Sequence, residues 1–426
     1  MEPPAALRQP EFRSLWLAGL VSDAGDWMLL IALPIVVYGL TGSALGTSGA
    51  FIAELAPAVV LAPLAGRLAD RLDRRRLMLT ITVLQALALA PLLAVHSRAQ
   101  LPILYAVIVA QASLATIFEP AKNALLPTLL APSQLVSANS LIALNGALGR
   151  LAGGPLGGLL LAAGDLKTIV IADALSFLVA AGLIWRLPPW PAAAASEGTG
   201  PPRDPAASAR RHRSGWPLRS LLADARVRAG LLVAFIAEIA QGIFVVLFIL
   251  FVARRLHGGS GEIGLLRGVQ AIGAIGGGLA LSVMARPWAP GALIAAAALA
   301  FGAADLMIWN GSAVTTAPAL YAGLFVLAGA PGVVLETGLV SLFQLAVPDG
   351  SRGRIFGALG MVSSAGQAIG MLAAGILTPQ LGLMTLLNAQ GLLYLVAGAL
   401  AARFLAGTDA ARAVSRPSRR VASERP

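Results

Sequence analysis

The chain has 426 residues, of which 57% are hydrophobic and only 12% are charged, and its mean hydropathy is +0.80. Because too few polar side chains remain to cover a water-soluble protein of this size, much of the apolar surface must face lipid. The net charge of +11 comes from basic residues clustered between apolar stretches, a pattern that indicates membrane topology and no nucleic-acid partner.

Apolar stretches long enough to cross a bilayer recur along the chain, since a hydrocarbon core of about 30 Å needs roughly 20 helical residues. The first half is predicted to hold six spans, at 13–38, 45–68, 77–96, 101–120, 136–163 and 166–187. The second half is predicted to hold six more, at 228–253, 261–285, 289–310, 315–345, 353–379 and 382–405. The first run continues past Leu30, so we expect its helix to be retained and not cleaved as a signal peptide.

A stretch rich in Pro, Ala, Ser and Arg separates the two sets of spans and has no apolar periodicity. The predicted domains are an N-terminal six-helix bundle (1–187), a cytoplasmic linker (188–226), a C-terminal six-helix bundle (227–405) and a basic cytoplasmic tail (406–426). Most arginines fall on one side of this arrangement, whereas Arg254 and Arg255 lie in a predicted outer loop. By the positive-inside rule, both termini of this multi-pass protein are expected in the cytoplasm, at a bacterial inner (plasma) membrane.

The two halves also resemble each other in sequence. LLPTLLAPSQL at 125–135 aligns with SLFQLAVPDGS at 341–351, and the same offset places Gly154 on Gly370. Such a duplication predicts two pseudo-symmetric halves about a central cavity. The fold class expected from the sequence is therefore an all-α membrane protein with about twelve transmembrane helices in two six-helix bundles.

The segment Gly66–Arg76, GRLADRLDRRR, resembles the G-x-L-A-D-R-x-G-R-[RK] signature of the major facilitator superfamily (MFS). It departs from the signature at Asp73, where glycine is usual. The resemblance implies a conformational-switch motif, whose residues here are Gly66, Asp70, Arg71, Arg74 and Arg75. The alternative is an ordinary cytoplasmic loop whose arginines follow the positive-inside rule.

The resemblance extends over residues 11–405 and is closest to the branch that contains the enterobactin exporter and macrolide or multidrug efflux proteins. Matching phrases include FRSLWLAGLVSDAGDWM (12–28), FEPAKNALLP (118–127) and VPDGSRGRIFG (347–357). Membership implies bundles that rock about a midplane site, the major facilitator fold, and a functional monomer. It implies no particular substrate and no cofactor.

A glycine-rich segment in the fifth span resembles the antiporter motif G-x-x-x-G-P-x-x-G-G but is one residue short. Its residues are Gly149, Gly153, Gly154, Pro155, Gly157 and Gly158. Small residues permit close helix packing and proline can bend a helix, so an antiporter motif and plain packing fit this composition equally.

Charged side chains at membrane depth cost roughly 2.5–3.5 kcal/mol each on insertion scales, so those near span centres are functional candidates. Four such residues are candidates for proton coupling or substrate binding: Asp26, Glu54, Arg150 and Glu238. The alternative for each is a structural role, such as packing or pairing with a neighbouring charge. A structural role is favoured for five further acids: Asp23, Glu119, Asp173, Asp305 and Glu336.

The sequence has no G-x-x-x-x-G-K-[ST] phosphate loop, so an ion gradient is the expected energy source. The leading hypothesis is a proton-coupled exporter of a lipophilic drug, macrolide or siderophore-like molecule that works by alternating access. Its cavity would be lined by apolar and aromatic residues such as Trp27, Phe235 and Phe244. The alternative for each aromatic residue, slightly favoured when it is taken singly, is that it faces lipid. The expected partners of the exporter are the small-molecule substrate, protons and membrane lipids.

Three other classes of protein fit the sequence less well than an exporter does. A facilitator or importer of a metabolite or lipid would need a more polar cavity, and a membrane receptor or structural protein would need no buried acids. An enzyme is not expected, because neither H-E-x-x-H nor G-x-S-x-G occurs. No metal site is expected either, since the chain has no cysteine and its three histidines lie in loops or at span ends.

Overall fold

The computed structural model describes residues 5–131, 134–188, 223–283, 289–347 and 352–406. Within these ranges the chain forms twelve long helices and no strand. The first six are α1 (Pro10–Thr41), α2 (Ala44–Arg71), α3 (Arg74–Ala88), α4 (Leu101–Leu129), α5 (Leu135–Ala163) and α6 (Leu166–Trp185). The second six are α7 (Ala225–Arg254), α8 (Ser260–Val283), α9 (Pro290–Gly311), α10 (Pro318–Ala346), α11 (Arg352–Leu381) and α12 (Leu383–Ala401). The predicted linker and tail lie almost entirely outside the described residues.

Eleven of the twelve helices are long and apolar enough to span a membrane, and α5 is the exception. Its 29 residues are sufficient in length, but Arg150 and several glycines lower its hydropathy. The predicted all-α architecture of about twelve spanning helices is therefore confirmed.

Two helices differ from their predicted spans. The fourth was expected to end near residue 120, yet α4 continues through Pro120 to Leu129. Proline is tolerated inside membrane helices because neighbouring groups satisfy the freed carbonyl. The third was expected at 77–96, but its α-helix ends at Ala88 and a short 3₁₀ turn, Ala90–Ala94, follows it.

Short polar side chains fix several helix starts. Ser43 accepts a hydrogen bond from the Gly46 amide at 3.3 Å and begins α2. Asp73 accepts one from the Arg76 amide at 2.7 Å and begins α3. The acid that departs from the MFS signature is thus an N-cap, which satisfies an amide that the first helical turn leaves free.

The two halves share one packing pattern. In the first half, α1 packs on α5 and α6, and α2 packs on α4. In the second half, α7 packs on α11 and α12, and α8 packs on α10. Each helix thus has the same neighbours as its counterpart six helices later, so the helices form two pseudo-symmetric six-helix bundles.

The bundles meet where α5 crosses α8, and glycines permit the approach. A Cβ atom added at Gly158 would lie 2.4 Å from the carbonyl oxygen of Ser260 and 2.9 Å from the Cα of Gly264. On the opposing helix, a Cβ atom at Gly264 would lie 2.4 Å from the carbonyl oxygen of Gly154. Because the opposing atoms are backbone, no side chain can move aside, so only glycine fits at Gly158.

The opposite face of α5 packs on α1 through three glycines spaced four residues apart. A Cβ atom at Gly153 would lie 2.4 Å from the carbonyl oxygen of Ala24, and one at Gly157 would lie 2.7 Å from that of Met28. At Gly149 it would lie 3.0 Å from Asp23. The segment that resembles the antiporter motif therefore packs α5 between α1 and α8, and an antiport role for it stays a prediction.

A second inter-bundle contact joins α2 to α11. The Ser48 hydroxyl donates to the carbonyl oxygen of Met371 at 2.7 Å. Near it, the Arg254 guanidinium at the end of α7 donates to the Tyr38 hydroxyl at 2.6 Å and to the Gly42 carbonyl oxygen at 3.1 Å. We call the end of the protein that holds these contacts the closed end.

Two buried carboxylates within the bundles accept side-chain hydrogen bonds. On α12, Gln390 is fully buried, accepts a hydrogen bond from the Trp309 indole at 2.9 Å and donates to the Asp305 carboxylate at 2.6 Å. On α6, buried Asp173 accepts a hydrogen bond from Ser176 at 3.1 Å. Such bonds offset the cost of removing polar groups from water, and they agree with structural roles for Asp173 and Asp305.

The α5–α8 crossing predicts unequal effects for two matched glycine substitutions. Gly158→Ala should destabilise the protein by about 1–3 kcal/mol, because the added methyl group overpacks against backbone. Gly182→Ala in α6 should be neutral or slightly stabilising, since a Cβ there meets no atom within 4 Å. Thermal unfolding of both purified variants in detergent tests this. Equal melting temperatures would show that the close crossing contributes nothing to stability.

The closed end predicts a conformational effect for Tyr38→Phe, which removes the hydroxyl that Arg254 contacts. We expect the closed state to lose about 1 kcal/mol, roughly a fivefold shift in population. Because the chain has no cysteine, one cysteine in place of the buried Ala44 can report accessibility to a maleimide. Labelling should be several-fold faster in the Tyr38→Phe background, whereas Tyr105→Phe is the matched control. An unchanged rate would contradict a closing role for Arg254.

Candidate functional site

A cavity lies between the bundles and has two lobes that share Gln241 and Arg267. The lobe of about 260 Å³ has a largely apolar wall from α1, α2, α7, α8 and α11, and we call it the apolar lobe. Its lining includes Trp27, Leu30, Phe51, Glu54, Phe248 and Met371. A lobe of this character suits a lipophilic body with few polar contacts.

The second lobe, of about 380 Å³, lies mainly against the C-terminal bundle, and we call it the polar lobe. Its polar lining includes Arg150, Glu238, Gln241, Arg267, Gln270 and Glu336. The cavity thus joins an apolar region to one with charges of both signs. This division can orient a ligand that has a polar group at one end.

Glu54 lies on α2 with an exposed side chain, at the boundary of two cavities. One is the apolar lobe, and the other lies inside the N-terminal bundle among α1 to α4. Asp26 also lines this inner cavity. The structure therefore brings two of the predicted candidates, Asp26 and Glu54, to the same space.

Asp26 is exposed to its cavities, and its carboxylate accepts a long hydrogen bond of 3.5 Å from the Ser22 hydroxyl. It also lines a smaller pocket that contains Asp23, Glu119 and Lys122. Lys122 and Glu119 form an ion pair at 2.6 Å. Among the described residues, neither Asp26 nor Glu54 is in such a pair, so both carboxyl groups are free to exchange protons with the cavities.

Arg150 and Glu238, the other two candidates, line the polar lobe. The Arg150 guanidinium lies over the Trp27 ring, 4.8 Å from its centroid. Glu238 shares the lobe with Glu336, whose side chain is exposed to it. A structural role was favoured for Glu336 from the sequence, but its position matches that of the cavity candidates.

The predicted aromatic lining is found in part. Trp27 lines the apolar lobe, and Phe244 lines the polar lobe. Phe235 instead packs against α11, since a Cβ atom at Gly366 would lie 3.3 Å from its ring. Two of the three aromatic residues are therefore placed to contact a ligand.

The conformational-switch motif lies where α2 ends and α3 begins. Arg74 donates to the carbonyl oxygen of Ala124 on α4 at 2.9 Å, and Arg75 donates to that of Trp185 on α6. Arg71 is exposed. Gly66 and the Asp70 side chain are outside the part of the motif whose surroundings are described, so its switching role stays a prediction.

Sequence reasoning missed Arg267 and Gln241, which join the two lobes. The Arg267 guanidinium lies 5.0 Å from the centroid of the Phe244 ring and donates to the Gln270 side chain at 3.0 Å. Arg267 falls in the first third of its predicted span, close to a membrane face. A single arginine within the apolar run EIGLLRGVQAIGAIGGG was the available signal.

Comparison with known proteins agrees with this architecture. The family model described as transmembrane secretion effector matches residues 1–423. YfiS of Bacillus subtilis (strain 168), an uncharacterized MFS-type transporter, is 26% identical over 409 residues, 93% of this chain and 94% of its own. The multidrug efflux pump Tap of Mycolicibacterium fortuitum is 28% identical over 417 residues, 90% of this chain and 93% of its own.

Solved structures with the same fold are also transporters. A bacterial homologue of the human lysosomal transporter Spinster, inward-facing and unoccupied, superposes with a TM-score of 0.72 at 14% identity, covering 95% of this chain and 98% of its own. A bacterial homologue of the iron transporter ferroportin, inward-facing, gives 0.71 at 17% identity, covering 94% and 99%. With the whole-chain family match, these findings identify a multi-pass membrane protein that is a secondary transporter and not an enzyme. The chain belongs to the transmembrane secretion effector family of the major facilitator superfamily.

Proposed function

We propose that the protein is a proton-coupled exporter of a lipophilic small molecule such as a drug, a macrolide or a siderophore-like compound. The observation that carries this proposal is the position of Glu54 in the wall of the apolar lobe, exposed to the cavity and outside any ion pair among the described residues. A lone carboxylate beside apolar side chains is costly when charged. Protonation removes that cost, so the protonation state of Glu54 depends on whether a substrate occupies the cavity.

Competition between a proton and the substrate provides the coupling. A lipophilic cation in the apolar lobe is attracted by the charged Glu54 carboxylate. A proton that binds Glu54 removes this attraction, so proton and substrate displace each other and can be exchanged across the membrane. Asp26, which shares the inner cavity with Glu54, provides a second carboxyl group through which a proton can pass.

The direction we propose is outward. The cavity lies on one side of the inter-bundle contacts, because its lining residues on α2, such as Phe51 and Glu54, follow Ser48 along the helix. If both termini are cytoplasmic, the closed end is the outer end and the cavity loads from the cytoplasm. Similarity to the multidrug efflux pump Tap supports export, and we expect a monomer in the bacterial inner membrane to be sufficient.

Accumulation of rhodamine B ethyl ester, a fluorescent lipophilic cation, tests the function in cells that lack their own efflux pumps. Cells with wild-type protein should accumulate several-fold less dye than cells with empty vector. Glu54→Gln or a protonophore should abolish the difference, because neither the variant nor the uncoupled cell can use the proton gradient. Glu11→Gln at the start of α1 is the matched control and should export normally.

Three outcomes oppose the proposal in different ways. Accumulation equal to the empty vector would remove lipophilic cations as cargo. Export that continues in the Glu54→Gln variant would remove Glu54 from the coupling. Export that survives the protonophore would point to another ion or to facilitated diffusion.

A further inference from the structure

The glycine crossing of α5 and α8 brings together two arginines from different bundles. Arg150 lies one helical turn before Gly154, and Arg267 directly precedes Gly268. A Cβ atom at Gly268 would lie 2.4 Å from the Pro155 ring and 3.5 Å from the carbonyl oxygen of Arg150, so the two helices are in contact here. Both arginine side chains line the polar lobe. The packing that joins the bundles therefore places two positive charges on one cavity wall.

Neither guanidinium has an ion-pair partner among the described residues, although Glu336 is near enough to interact electrostatically with Arg150. The Arg150 guanidinium rests on the Trp27 ring, and its buried Nε has no hydrogen-bond partner. The Arg267 guanidinium contacts the Phe244 ring and one uncharged amide, that of Gln270. Among the described residues neither arginine forms an ion pair, although two glutamates, Glu238 and Glu336, line the same lobe.

Aromatic faces and an amide stabilise a guanidinium only in part. Two such cations in one cavity at membrane depth repel each other, and each retains N–H donors that no acceptor fills. Ring contacts also hold the side chains in place, so less conformational entropy is lost when a ligand binds. An anionic group supplies the charge and the acceptors that this wall lacks.

We propose that Arg150 and Arg267 form a binding site for the anionic group of an otherwise lipophilic substrate: a carboxylate, phosphate or sulfonate. The apolar lobe holds the lipophilic body, and Gln241 and Arg267 mark the junction between the two parts. Because the arginines belong to different bundles, the bound anion bridges both. The site specifies which class of lipophilic molecule is transported, so this inference rests on the proposed function.

Rhodamine B and its ethyl ester form a matched pair of probes, because they differ in one free carboxylate. Fluorescence polarisation with purified protein in detergent measures the affinity of each. Wild type should bind rhodamine B about tenfold or more tightly than the ester, as expected for charge-assisted hydrogen bonds. Arg267→Gln and Arg150→Gln should each reduce this preference several-fold. Arg267→Lys, which keeps the charge and loses the planar fork, should fall between.

Two controls accompany the probes. Arg186→Gln removes an exposed arginine at the end of α6 and should leave both affinities unchanged. Glu336→Gln removes a competing negative charge from the polar lobe and should strengthen binding of rhodamine B relative to its ester. Melting curves without ligand identify any variant that fails to fold.

Inorganic phosphate tests whether the site also binds a free anion, in addition to an anionic group carried by a lipophilic molecule. If phosphate displaces rhodamine B from the wild-type protein and does not displace the ester, the site also binds a free anion, which supports the proposal. Equal affinities for the two probes in wild type would overturn it. So would an equal loss of both affinities in Arg267→Gln, because the arginine would then only shape the cavity. Binding in detergent needs no proton gradient, so failure of the transport assay leaves this result valid.

Discussion

The close approach of α5 to α1 on one side and to α8 on the other is the constraint on which the remaining structure depends. Gly153 and Gly158 face backbone on opposite sides of the same helix, each too near for a Cβ atom. Hydrophobic attraction between helices is weak in lipid, so such van der Waals contact is what joins them. Helix α5 packs within its own bundle and also contacts the second bundle. Its position therefore determines where the bundles meet and where a cavity can remain between them.

The cavity derives its chemistry from that geometry. Helices that touch at glycines diverge beyond the contact, and the first long side chains past it must enter the space between them. Arg150 and Arg267 occupy these positions, next to a lobe whose wall is otherwise apolar except at Glu54 and a few amides. Charged side chains at membrane depth therefore line the space where the bundles separate, which is where we propose that a transported molecule and an exchanged proton both pass.

The sequence predicted the fold well because its signal is long-range and redundant. Apolar runs indicate twelve helices, loop arginines agree with their alternating direction, and a repeat divides them into two halves. The helix ends differ mainly at α4, which continues through Pro120, and at α3, which ends early. The site was predicted less fully. Asp26, Glu54, Arg150 and Glu238, predicted from charge at depth, all line cavities. Arg267 was not predicted, because its position on the cavity wall depends on the helix that it faces. Which acids line a common cavity is likewise a property of helix packing that a linear pattern does not encode.

The hydrogen bonds at the closed end can be exchanged for hydrogen bonds to water. Arg254 and Ser48 donate across the bundles to a phenol and to carbonyl oxygens, all of which water can replace at little net cost. An ion pair buried at this end would have left two bare charges on separation. With both termini in the cytoplasm, as proposed, an arginine on this side departs from the positive-inside rule, yet it gives the closed end a contact that water can replace reversibly. Opening can therefore proceed by stepwise wetting of this end, without a high barrier from stranded charge.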